Sequence, residues 1–78
     1  MNFPKFQENQ YALLVAEKTT GIILNKNLER FNEKQDEENV YKIFEGIESV
    51  LSYIKSLENQ DYEYMIYDCN KKLIRYID

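Results

Sequence analysis

Seventy-eight residues, 44% hydrophobic and 31% charged, fit one globular domain and exclude a disordered or collagen-like chain. Two glycines and one proline leave no composition for a linker, so residues 1–78 read as a single domain. The net charge is −4, and the absence of histidine excludes the commonest general base and most zinc sites.

In chain order, residues 1–10 form an N-terminal arm carrying Phe3 and Phe6. The arm lacks a basic region followed by an apolar stretch, so no signal peptide is expected and the expected location is cytoplasmic. No apolar run approaches the length of a membrane span, and the longest, residues 12–16, has a strand's length. Residues 11–24 read as a β-hairpin. Apolar YALLVAE and IIL flank Lys18-Thr19-Thr20-Gly21, and Gly21 supplies a positive φ. Residues 25–35 are polar apart from Leu28 and Phe31, and form a connection that tucks those two side chains into the core.

The spacing predicts a long helix over residues 36–58. Val40, Ile43, Phe44, Ile47, Val50, Leu51, Ile54 and Leu57 fall on one face with an arc of about 140°. Asp36 is the expected N-cap, with Glu37 and Glu38 in the first turn and Glu38 paired to Lys42. Gly46 interrupts this pattern at the edge of the apolar arc, where close approach of a neighbouring group is its expected use.

Residues 61–77 read as a second hairpin around Cys69-Asn70-Lys71. A turn that sets Asp68 opposite Lys72 puts Tyr62, Tyr64, Ile66, Ile74 and Tyr76 on one face. Met65, Tyr67, Leu73 and Ile77 then share the other face, with Glu63 and Arg75. A shorter turn would re-pair these positions.

The resulting fold class is α+β, in the order β-β-α-β-β. A four-stranded antiparallel sheet has one long helix packed on one face. Beyond the arm, nothing in the chain is left to cover the second face. Met65, Tyr67, Leu73 and Ile77 are therefore the expected interface, and a homodimer the expected assembly.

Charge is uneven. Residues 29–48 hold seven acids and three bases, while the rest of the chain balances. Acids at a helix start can simply favour the macrodipole. Read as a site, Glu33, Asp36, Glu37, Glu38, Glu45 and Glu48 make an anionic patch for a basic protein partner. Direct nucleic-acid binding is not expected, because phosphates demand a cationic surface. No membrane contact is expected either.

No chemistry-bearing motif is present. The lone Cys69 has no histidine to activate it, and two isolated glycines cannot build a phosphate-binding loop. No catalytic, cofactor-binding or metal-ligating residues are therefore assigned, and an enzyme is not expected. Phe, Tyr, Ile, Asn and Lys dominate over Gly, Ala, Pro and Arg, which points to an AT-rich genome, a low-GC bacterium or its phage. The expected function is a small acidic protein-binding module. It would be encoded by a phage or mobile element and would inhibit, in the manner of an anti-CRISPR, a basic nucleic-acid-binding protein such as a CRISPR nuclease in the host cytoplasm. The alternative is a homodimeric structural or regulatory domain, with or without a small ligand at its interface.

Overall fold

The computed structural model of the chain describes residues 5–32, 37–57 and 61–78. Five strands and one α-helix form an α+β domain: β1 (Gln10–Glu17), β2 (Ile23–Leu24), β3 (Lys42–Glu45), α1 (Ile47–Leu57), β4 (Tyr62–Tyr67) and β5 (Leu73–Ile77). Every pairing in the sheet is antiparallel. Among the described residues no helix is long and apolar enough to cross a membrane.

β1 is the centre of the sheet. One of its edges carries β4, with Leu13 opposite Ile66 and Val15 opposite Tyr64. β2 and β3 share the other edge end to end, since Leu24 lies opposite Val15 and Lys42 opposite Leu13. Together they fill one strand position, interrupted by an excursion that leaves after Leu24 and returns at Lys42. The excursion is closed at its neck by Lys26 N–H donating to Asn39 O at 2.7 Å. β3 and β4 flank β1 and run in the same direction, a relation that requires a crossover, and α1 supplies it.

The first hairpin forms as the sequence indicates. Gly21 takes φ +72°, Gly21 N–H donates to Glu17 O at 2.8 Å, and Glu17 N–H donates to Ile22 O at 2.9 Å. Arg30 then returns along β2 and braces the hairpin. Its Nε and Nη2 donate to the two carboxylate oxygens of Glu17, each at 3.1 Å. This fork, with a bond from Thr20, holds the Glu17 carboxyl below its ordinary range.

The long helix expected over residues 36–58 is corrected. Glu37–Val40 is a 3-10 turn, Lys42–Glu45 is a strand, and only Ile47–Leu57 is α-helical. The sheet therefore has five strands rather than four. The expected cap at Asp36 lies outside the described residues, and Lys42 stands on β3 rather than a turn above Glu38. Periodicity misled because Phe44 and Ile47, on either side of the break, both pack on the same cluster as Val50. A strand followed by a sharp junction thus mimicked a continuous helical stripe.

Gly46 makes that junction. Its φ is +78°, a region that L side chains rarely adopt, and its N–H donates to Asn9 O at 2.8 Å. The expectation of close packing there is also corrected, because an added Cβ would meet no heavy atom within 4 Å. The glycine is needed for its backbone conformation and not for space.

Two clusters cover the two faces. On the helix face Leu13, Val15, Leu24, Val50, Tyr64 and Ile66 are buried, with Leu28 and Phe44 packed against them. Phe44 meets Tyr53 of α1 at a 5.1 Å ring separation, and the Lys42 ammonium lies 4.8 Å from the Tyr53 centroid. On the outer face Ala12, Leu14, Val40 and Tyr41 are buried, with Phe6, Phe31, Ile43, Met65 and Tyr67 packed against them. The second face is therefore not left to the N-terminal arm alone. The excursion supplies Phe31, Val40 and Tyr41, and the arm supplies Phe6.

Gly46→Ala is expected to destabilise the domain by about 1 kcal/mol through backbone strain alone. Gly46→Asn should cost less, since asparagine tolerates this region better. Urea unfolding of the two variants checks the order. An alanine variant as stable as the wild type would exclude φ as the constraint.

Candidate interaction surface

The β4–β5 hairpin carries the exposed apolar surface. Its turn is organised by Asp68, whose Oδ1 accepts from Asn70 N–H at 2.9 Å and Lys72 N–H at 3.0 Å. Lys71 sits at φ +66° and donates its N–H to Asp68 O, while Asp68 N–H donates to Lys72 O at 3.0 Å. Asp68 and Lys72 thus close the turn opposite each other. The half-buried thiol of Cys69 is free within this turn.

Beyond the turn the ladder slips. Tyr67 pairs with Leu73, but Ile66 pairs with Arg75, so Ile74 is an extra residue on β5. Every later side chain on β5 changes face as a result. Met65 pairs with Tyr76 and Tyr64 with Ile77, placing Tyr76 on the outer face and Ile77 on the helix face. The expected faces are corrected accordingly. Of the four expected interface residues, Met65, Tyr67 and Leu73 share the outer face, whereas Ile77 packs against the helix-side cluster. Tyr76 takes the outer-face place that the unbulged register gave to Ile77, and a single bulged residue leaves no signal in strand alternation.

Cover ends at β4. Tyr41 meets the edge of Tyr67 at a ring separation of 6.3 Å and an interplanar angle of 82°. β5 lies beyond that contact, and Leu73, Ile74 and Tyr76 are 47%, 42% and 51% exposed. Tyr76 is exposed but held, because its hydroxyl donates to the Glu63 carboxylate on neighbouring β4. That carboxylate opposes ionisation and pushes the phenol up to about 12. Lys71, Lys72 and Arg75 are also exposed and have no ion-pair partner among the described residues.

Two acids of the charged segment, Glu45 and Glu48, sit toward the opposite edge of the sheet. Glu45 is exposed on β3, where its carboxylate accepts from Gln10 Nε2 at 2.9 Å, and Glu48 is exposed in the first turn of α1. Glu37 and Glu38 belong to the 3-10 turn before β3, and Glu33 and Asp36 lie outside the described residues. These acids do not line one helix start, because a strand and Gly46 separate Glu38 from Glu48. With β5 at one edge of the sheet and β3 at the other, Glu45 stands apart from Leu73 and Tyr76.

Polar clefts also mark the described surface. One of about 310 Å³ is lined by Glu17, Thr19, Thr20, Arg30, Asp61 and Tyr62, and its main charges, Glu17 and Arg30, neutralise each other. Another, of about 250 Å³, lies against Asn25 and Asn39 at the neck of the excursion. Among the described residues no group of three His, Cys, Asp or Glu side chains is placed to hold a metal ion. No protein-family model, curated protein or solved structure matches the chain.

The raised phenol gives a direct check on the β4–β5 register. Its bond to Glu63 contributes fully below the ordinary tyrosine value of 10.0 and is lost as pH rises through about 12. Glu63→Gln removes the charge that opposes ionisation, so the most alkaline step in tyrosinate absorbance should move down toward the ordinary value. Tyr76→Phe should delete that step. An unchanged alkaline limb in both variants would contradict the pairing of Tyr76 beside Glu63.

Proposed function

We propose that this chain is a protein-binding module and not an enzyme. The observation that carries the reading is the exposure of Leu73, Ile74 and Tyr76 on a strand whose outer edge is open. Monomeric proteins rarely leave large apolar side chains together without use. A tyrosine already held by Glu63 also loses little side-chain freedom on binding, which suits it to anchor a contact.

The acidic edge supports a basic protein as the partner. Glu45 and Glu48 project from the β3–α1 corner within a segment of net charge −4. Exposed charges of this kind raise association rates and select partners more than they add affinity. An acidic surface also suits competition for a site that another protein uses to hold nucleic acid. The finer reading, a phage- or mobile-element-encoded inhibitor of a basic nucleic-acid-binding protein, rests on this edge. The alternative of a homodimeric domain rests on β5.

Charge reversal separates the two edges. A partner captured from host lysate and then purified should associate with the Glu45→Lys, Glu48→Lys variant more than tenfold slower at low salt, and the deficit should shrink at high salt. Leu73→Glu should change dissociation instead, if β5 contributes to the same contact. A partner whose kinetics neither variant alters would remove this reading.

A further inference from the structure

We infer that the occupant of β5 is a second copy of this chain, related by a two-fold axis. The inference rests on the reading of β5 as a contact strand and names what the strand contacts. Its first support is self-complementarity. Among the described residues Leu73, Ile74 and Tyr76 are the large apolar side chains left exposed, so among the described surfaces their apolar counterpart is β5 of another copy. A two-fold contact buries both patches at once and closes on itself.

The second support is the order of charge along the strand. Lys71 and Lys72 precede β5 and Asp78 follows it. A two-fold axis at the middle of β5 sets the two strands antiparallel. The cations at the start of each strand then meet the acid at the end of the other. A parallel arrangement would set all of these like charges together, which is unfavourable, whereas the antiparallel one brings only Arg75, at the axis, beside its own copy.

The contact is made by side chains. The extra residue Ile74 and the charge of Arg75 interrupt any regular backbone ladder between copies, so the sheet is not extended indefinitely. Five residues of strand span only about 17 Å. A contact of that length falls at the small end of specific interfaces, so association in the micromolar range is expected. Because β3 lies at the far edge of the sheet, the pair presents its two acidic edges outward. Such a dimer could engage a repeated or two-fold basic partner at both ends, with the gain that linkage brings.

Sedimentation equilibrium of the full chain from micromolar to millimolar concentration tests this. The average mass should rise from 9.4 kDa toward twice that value and stop there. Leu73→Glu should hold the chain at the monomer mass with an unchanged circular dichroism spectrum, while Glu45→Lys, Glu48→Lys should still dimerise. Asp78→Lys should weaken association several-fold at low salt, and adding Lys72→Asp in the same chain should restore it. Amide shifts on dilution of the wild type should be confined to β5, its turn and the outer side of β4. A chain that stays monomeric throughout would overturn the inference, as would dilution shifts centred on β3 and α1. Neither result bears on the acidic edge, whose partner is tested separately by association rate.

Discussion

The structure depends on a single strand. β1 pairs with β2, β3 and β4, and residues 12–16 within it are all buried, with exposure between 0% and 5%. Its two faces differ in size. Leu13 and Val15 point to the helix face, where α1 supplies a second layer, while Ala12, Leu14 and Ala16 make a shallower outer face. Ala12 there lets Val40 and Tyr41 lie close, so a few side chains from the arm and the excursion replace a second helix layer. A chain of this length cannot furnish two layers, since short domains bury a smaller share of their surface. Small residues on one face of β1 are thus what allow a thin cover to suffice.

The excursion follows from the same economy of length. The chain leaves the edge of β1 after Leu24 and rejoins it at Lys42, and beyond Leu24 it delivers Leu28 to one face and Phe31 to the other. Asn25, 7% exposed, organises the departure, its Oδ1 accepting from the N–H groups of Asn27 and Glu29. A buried amide oxygen satisfied by neighbouring N–H groups costs little, and it lets the chain turn directly after β2. Leu28 takes φ +62° in that turn, a strained conformation that its burial against the helix-side cluster offsets.

Legibility in the sequence tracked how local the signal was. The first hairpin was readable because Gly21, its turn and the two flanking apolar runs lie within one short stretch. The tuck of Leu28 and Phe31 was readable because they are the apolar residues of a polar segment. The strand at β3 was not, since Val40, Ile43, Phe44 and Ile47 satisfy a helical period as well as a strand, a junction and a helix. Only a positive φ at Gly46 separates those readings, and periodicity carries no information about φ. The candidate surface was legible for Met65, Tyr67 and Leu73 by alternation. It failed at Ile77 and Tyr76 because Ile74, an ordinary β-former, is the bulged residue and has no composition cue.

The edges of the sheet explain why the exposed side chains of β5 stand out. β2 is covered by the returning chain, through the Leu24–Arg30 bridge and the Phe31 N–H that donates to Ile23 O. β3 is four residues long and bears a charge at each end, Lys42 and Glu45. β5 has a bulge, Arg75 within it and two lysines before it. Short length, charge and bulges are ways in which natural sheets block unwanted pairing, so each edge is already guarded. Guarding does not call for Leu73, Ile74 and Tyr76, and the core does not call for them either, since all three remain exposed. A hydrophilic residue at each position would satisfy the fold and lower the risk of aggregation. With Tyr76 fixed in place by Glu63, these three side chains are the surface on which the proposed contact rests, and neither the buried core nor the guarding of the edge accounts for them.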